Sequence, residues 1–227
     1  DGRGQNILGR PINSFFGYVA DGIFKSQGEV DAHANQPGKG LGRIRYTDLN
    51  GDGVINDFDR TWIGRPHPDF TYGLSMDLSY KNFDFSFFIQ GVAGIDVVNE
   101  FKYATDFWSV SETGSNKGTR LLNAWSPSNP DSNIPAIALV DNNFESRFST
   151  YFIENGSYLK LRNVQIGYTL DQETVSKIGM SSFRMYIGGD NLGILAKSKS
   201  FTGVDPENPG FGYPNPVVGT LGFNMKF

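Results

Sequence analysis

The sequence predicts an all-β protein: an antiparallel transmembrane β-barrel fragment of about five strands, with long extracellular loops. Three observations predict it. Several segments alternate between apolar and small or polar side chains. Aromatic residues and glycine dominate where aliphatics would dominate a helical protein. One connection is a two-residue turn while two others are very long.

Hydrophobic residues make up 38% of the 227, yet aromatics reach 14%, with 19 Phe, 10 Tyr and 28 Gly. That balance suits short strands and turns rather than helical bundles, which lean on Ala, Leu, Glu and Lys. The apolar runs are too short for a transmembrane helix, so any membrane crossing falls to strands, whose signal is alternation. A net charge of −4 leaves no basic footprint for nucleic acid. With no Cys, disulfides and thiolate chemistry are excluded. The opening residues, Asp1-Gly2-Arg3-Gly4-Gln5, read as loop and lack a charged-then-apolar leader, so either a leader has been removed or, the preferred expectation, the chain is a piece of a longer one.

The clearest strand runs from Phe70 to Tyr80. Phe70, Tyr72, Leu74, Met76, Leu78 and Tyr80 alternate with Thr71, Gly73, Ser75, Asp77 and Ser79. Lys81-Asn82 turns the chain. A second strand sets Phe83, Phe85, Phe87 and Ile89 against Asp84, Ser86 and Gln90, with Phe88 as the exception. In Tyr158–Leu170, Val164, Ile166, Tyr168 and Leu170 share a face; by parity Lys160 and Arg162 join it, so that end is expected above the hydrocarbon. A helical turn over Asp171–Gly179 leads to a strand at Phe183, Met185 and Ile187. The last strand, Thr220–Phe227, sets Leu221, Phe223, Met225 and Phe227 against Gly222, Asn224 and Lys226.

The long connections, Ala93–Asn155 and Leu192–Val218, are rich in Gly, Pro, Ser and Asn. A compact soluble domain rarely carries such loops, whereas outer-membrane barrels pair short periplasmic turns with long outside loops. Residues 1–69 read as an extracellular loop region and 70–227 as barrel strands. A soluble β-sandwich also alternates. Aromatics near strand ends (Phe70, Tyr72, Tyr80, Tyr168) and the terminal Phe227 favour the membrane reading. An open edge cannot face lipid, so the missing strands must come from elsewhere.

The sharpest motif is the loop Asp48 to Asp59. Asp48, Asn50 and Asp52 stand at positions 1, 3 and 5 of a calcium loop, with Gly53 at the sharp turn. Val54 would offer its carbonyl, Asn56 a water-mediated contact, and Asp59 the closing carboxylate. Asp in place of Glu there predicts modest Ca²⁺ affinity. The plain alternative is an Asn-Gly/Asp-Gly turn held by its own side chains. Phe101, Tyr103, Phe107, Trp108, Trp125 and Tyr151 are loop aromatics that could grip a substrate or partner, or pack on the loop itself. His33 and His67 sit in polar or Pro-flanked loop, and no nucleophile motif is present, so no catalysis is expected. Without further information a soluble calcium-dependent glycan-binding β-module competes with the membrane reading.

Several ordered motifs resemble the SusC/RagA family. They are Arg10-Pro11 with Gly17-Tyr18, Asp21-Gly22-Ile23-Phe24, Tyr46 through Gly53, Asp59-Arg60, Tyr80-Lys81-Asn82-Phe83-Asp84, Ser157 through Asn163, and Asn191-Leu192. The resemblance implies the C-terminal part of a TonB-dependent importer of Bacteroidetes outer membranes, taking oligosaccharides or peptides. Such barrels have about 22 strands and a plugged lumen. It further implies a SusD-like surface lipoprotein as partner, a remaining N-terminal barrel and plug, and TonB contact through that N-terminal part. Thr220, Gly222, Met225 and Phe227 resemble the C-terminal assembly signal of outer-membrane barrels, with Met225 where an aromatic is usual.

Overall fold

The computed structural model describes residues 8–107 and 116–227. In chain order the elements are β1 (Phe15–Tyr18), β2 (Ala20–Ile23), α1 (Gln27–Ala32), β3 (Ile44–Tyr46), β4 (Arg60–Gly64), β5 (Phe70–Tyr80) and β6 (Phe83–Ala93). There follow β7 (Asp96–Val98), α2 (Glu100–Thr105), β8 (Ile153–Asn155), β9 (Tyr158–Thr169), α3 (Gln172–Ser176), β10 (Ser182–Lys197) and β11 (Val218–Lys226). These form two compact units. A strand unit comprises Pro68–Ile95, Gly156–Phe201 and Tyr213–Phe227; a loop unit comprises Asp1–His67, Asp96–Asn155 and Thr202–Gly212. The middle of each long connection thus joins the N-terminal residues.

The strand unit is one antiparallel sheet of order β11-β10-β9-β6-β5. Residues directly opposite in a ladder share a face, so the register shows what each face carries. One row runs Leu78, Phe85, Ile166, Ile187, Leu221 across all five strands, and the next runs Tyr80, Phe83, Tyr168, Met185, Phe223. This apolar face is open: Leu74 is 54% exposed, Ile187 61% and Leu221 71%. So large a contiguous apolar surface marks contact with another apolar phase.

The opposite face is polar. Arg184 on β10 reaches across Gly167 of β9 to Asp84 on β6, donating from Nε at 2.9 Å and also from Nη2. A side chain at Gly167 would occupy that path, so the glycine is needed for the close approach. Phe88, the exception to alternation, stays on this face and packs over Gly73.

The structure corrects the parity expectation for Lys160 and Arg162. Phe88 opposes Asn163, but Ile89 opposes Leu161, so Arg162 is an extra residue in β9. A one-residue bulge flips every side chain beyond it to the other face. Leu161 and Leu159 therefore continue the apolar face, while Lys160 pairs with Gln90 on the polar one. Arg162 donates to Gln90 Oε1 at 2.7 Å and to Asn191 Oδ1 at 3.2 Å. At the same level β10 shifts register between Asp190 and Gly193, with Asn191 at φ 52°. That irregularity lets β10 run on to Lys197, where the sequence suggested a loop from Leu192.

The loop unit has a conventional interior. β1 pairs with β4, β2 with β3 and β7 with β8, all antiparallel. Phe24, Ile44, Tyr46 and Phe152 are fully buried, each contributing about 1.5–3 kcal/mol through its side chain. Two buried amides are paired here: the side chains of Gln36 and Asn143 both donate to Ile44 O, at 2.8 and 2.9 Å.

Candidate functional site

The Asp48–Asp59 loop folds around its own carboxylates. Asp48 accepts from the amides of Gly51 and Gly53 at 2.8 Å each, and Asp52 accepts from the Val54 amide at 2.8 Å and the Asn50 side chain at 2.9 Å. These bonds, led by that from Asn50, hold the Asp52 carboxyl below its usual range. Gly51 and Gly53 sit at φ 73° and 81°, a conformation that disfavours side chains. Asp59 is buried and closes the loop, accepting from Leu49 N at 2.9 Å and Asn56 N at 2.8 Å. The Val54 carbonyl accepts from Asn56 Nδ2 at 3.3 Å. Among the described residues no three acidic or histidine side chains converge as a metal-holding group.

The aromatics of the long connection sit largely inside the loop unit. Tyr103 stacks on Phe152 with ring centroids 3.6 Å apart and planes 6° from parallel. Burial, the larger cause, and the Glu100 carboxylate push its hydroxyl up to about 12. Trp125 lies against Gly42 and packs on the same core. Phe101 meets Phe211, centroids 4.6 Å apart. Trp108 lies outside the described residues. No common aromatic platform forms from Phe101, Tyr103 and Trp125.

Sequence reading missed a set of buried charges. Glu145 pairs with Arg43 at 2.9 Å and accepts from Ile44 N at 3.1 Å. Burial outweighs these partners and raises its carboxyl above the usual range. Glu154 accepts from Lys102 at 2.8 Å, Thr202 N at 2.8 Å, Thr202 Oγ1 at 2.7 Å and Asn99 at 3.0 Å. Burial pushes Glu154 up, but Lys102 and Thr202 together hold it lower. The only sequence signal was charge inside Phe- and Tyr-rich loop, which does not reveal partners about fifty to a hundred residues away.

In the strand unit, β11 pairs with β10 so that Thr220 opposes Gly188, Gly222 opposes Tyr186 and Met225 opposes Phe183. The Tyr186 ring lies over Gly222, which leaves it room. Phe227 extends past the ladder and is exposed.

A two-faced antiparallel sheet whose apolar side is open defines this chain as part of a membrane β-barrel of the outer-membrane type. Comparison with known proteins shows which receptors it resembles. The chain is 34% identical over 239 residues to TonB-dependent receptor P3 of Formosa agariphila, an alignment spanning 96% of this chain and 22% of that protein. It is 32% identical over 241 residues to TonB-dependent receptor P26 of the same organism (100% and 24%). With TonB-dependent receptor SusC of Bacteroides thetaiotaomicron it shares 30% identity over 220 residues (93% and 20%). The chain spans about a fifth to a quarter of the length of these relatives. Among solved structures the RagAB peptide transporter superposes with a TM-score of 0.72 at 23% identity, covering 94% of this chain and 22% of that one. The RagAB peptide importer in its closed-closed state gives 0.69 at 24%, covering 94% and 23%. No family model matches. Over nearly its whole length the sequence is thus similar to TonB-dependent receptors, SusC among them, and its fold to the RagAB structures.

Proposed function

We propose that this segment works within a TonB-dependent outer-membrane importer of oligosaccharides or peptides, capped by a SusD-like surface lipoprotein. The observation that carries this reading is the sheet: five antiparallel strands paired in sequence, one face apolar and open, the other polar and ion-paired. In the whole barrel the apolar face meets lipid and the polar face lines the lumen or meets the plug. β5 and β11 stand at the edges of the sheet, so each pairs with a strand of the remaining barrel. TonB acts through the N-terminal part. No chemistry is asked of any residue here.

Two further proposals attach to it. Thr220, Gly222, Met225 and Phe227 form the strand read during barrel assembly, since an amphipathic strand can pair by its edge with a recipient sheet. The Asp48–Asp59 loop binds Ca²⁺: the oxygens of Asp48, which accept from the Gly51 and Gly53 amides, each keep a second lone pair for a cation, and Asp52 lies exposed beside them.

The test uses the full-length protein. Uptake of defined peptides and oligosaccharides should fall when its gene is deleted and return on complementation. The purified protein should be monodisperse only in detergent; monodispersity without it would instead support the soluble glycan-binding module. Removing Phe227 should reduce surface levels more than Leu221→Ile does, and normal levels after that removal would sink the assembly proposal.

A further inference from the structure

Two cavities in the loop unit, of about 600 and 550 Å³, share Tyr18, Asp57 and Arg147 in their walls. Both volumes fall within the range of small-ligand sites. Their charges are unevenly satisfied. Asp57 accepts from the Tyr18 hydroxyl at 2.9 Å and pairs with Arg60 at 3.4 Å, so this anion already has its partners. Arg147 does not. Its guanidinium lies over the rings of Tyr18, Phe144 and Tyr46 at 5.1, 5.2 and 5.3 Å. Its Nη1 is buried and without a hydrogen-bond partner, and it makes no ion pair among the described residues.

Ring faces hold a guanidinium by its plane but leave its edge donors unmet. A buried, unpaired donor is costly, and a guanidinium edge is matched best by a planar two-oxygen anion. Phe144, which covers Arg147 in the second cavity, sits at φ 51°, a conformation that bulky residues rarely hold. Such local strain concentrates at ligand clamps. The first cavity adds the aromatic walls Phe15, Phe16 and Phe148.

We propose that these neighbouring cavities bind a carboxylate-bearing peptide, its carboxylate on Arg147 and an apolar side chain against Phe15, Phe16 and Phe148. A sugar suits them less well, because a row of hydroxyls needs matching partners. Ser14 Oγ already donates to Pro11 O at 2.7 Å, and Asp57 and Arg60 hold each other. This inference rests on the importer reading and names the chemistry of its ligand.

The test is calorimetric titration of the full-length transporter in detergent. The probes are an acetylated Ala-Phe-Glu tripeptide, its amidated Gln analogue, and trigalacturonate. The acidic peptide should bind at least tenfold more tightly than the neutral one, an advantage that shrinks with added salt. Arg147→Gln should abolish the advantage; Arg147→Lys should keep part of it. Equal binding of both peptides to the wild type would overturn the proposal, as would an undiminished advantage in Arg147→Gln. Tighter binding of trigalacturonate, lost with the same substitution, would overturn the peptide assignment. Should Arg147→Gln fail to fold, the wild-type pair and the Lys variant still decide. Uptake measured in cells separates the two levels. Import without acidic preference sinks only this inference; no import by a correctly assembled protein sinks the importer reading.

Discussion

The strand unit and the loop unit solve opposite problems with the same residue types. In the strand unit Leu74, Ile187 and Leu221 are turned outward and the ion pair Arg184–Asp84 lies on the other face. In the loop unit Phe24, Tyr46 and Phe152 are turned inward, and the ion pairs Arg43–Glu145 and Lys102–Glu154 are buried with them. The difference follows from the surroundings each must meet. A strand that crosses hydrocarbon satisfies its backbone in the ladder and presents apolar side chains outward. A long loop in water has few ladder bonds, so it needs a core of its own and side-chain partners for its buried backbone. Aromatic content alone therefore does not tell lipid-facing from core-forming sequence; the period does.

The sharpest way to break this contrast is to remove a buried charge from the loop unit. Glu145→Ala leaves Arg43 and Ile44 N without their acceptor, and should cost about 3–5 kcal/mol of stability. Because burial already raises the Glu145 carboxyl, the pair is held at a desolvation cost. Replacing Arg43 and Glu145 together by apolar residues of similar volume should cost far less. Denaturant unfolding of the two variants decides: equal losses would mean that the ion pair itself is strongly stabilising.

The corresponding change in the strand unit tests the faces. Leu74→Arg should destabilise by about 2–4 kcal/mol if the residue meets mid-membrane lipid. Ser75→Arg, one residue along and on the opposite face, should be tolerated. Folding into lipid vesicles gives both numbers, and similar losses would point to a sheet buried on both sides.

A smaller effect separates the units by pH. Against burial, Lys102 and Thr202 together hold the folded-state carboxyl of Glu154 below its ordinary value of 4.5. Its stabilisation is thus fully present above pH of about 4.5 and is lost as pH falls through the lower folded value. Glu145 and Asp106 shift the other way, because burial raises both, so protonation relieves them over the same descent. Acid should therefore release the Thr202 segment selectively, since its amide donates to Glu154 at 2.8 Å. Hydrogen exchange at the Thr202 amide, corrected for intrinsic rates, should lose protection below that pH in the wild type. In Glu154→Gln the dependence should flatten. Loss of protection in the strand unit at the same pH would contradict a local cause.

These contrasts also explain what could be read from the sequence. β5 and β6 were legible because each residue's face follows from its position, and a two-residue turn fixes their register. The reversal at Arg162 was not, because one extra residue leaves no mark in composition; only the pairing of Ile89 with Leu161 exposes it. The loop core escaped for another reason: Ile44 meets Asn143 and Glu145 across about a hundred residues, and no period links them. The Asp48–Asp59 turn was legible in outline, since its glycines and Asx residues act locally. The placement of Arg147 was not, since an Arg between Ser146 and Phe148 carries no sign of the Tyr18 and Tyr46 rings brought to it from distant segments.

The smallest expected effect concerns the Asp48–Asp59 turn, where the loop unit meets water. Its hydrogen bonds close the turn without a metal, so Ca²⁺ should tighten an existing shape rather than create one. With Asp59 buried against Leu49 N and Asn56 N, the accessible carboxylates are Asp48 and Asp52. Two such ligands point to a dissociation constant on the order of 10⁻⁴–10⁻³ M, the range of extracellular modules. Millimolar Ca²⁺ should then raise the melting temperature of the loop unit by a few degrees over a chelator control, leaving the strand unit unmoved. Asp52→Ala should erase that rise while lowering the calcium-free melting temperature only slightly, since Asp52 is exposed and Asp48 still holds Gly51 and Gly53. Mg²⁺ should not substitute, because it demands a tighter octahedral shell than this turn offers. Identical melting of the wild type with and without Ca²⁺ would reduce the loop to a turn braced by its own side chains, and the loop unit would then owe nothing to a cation.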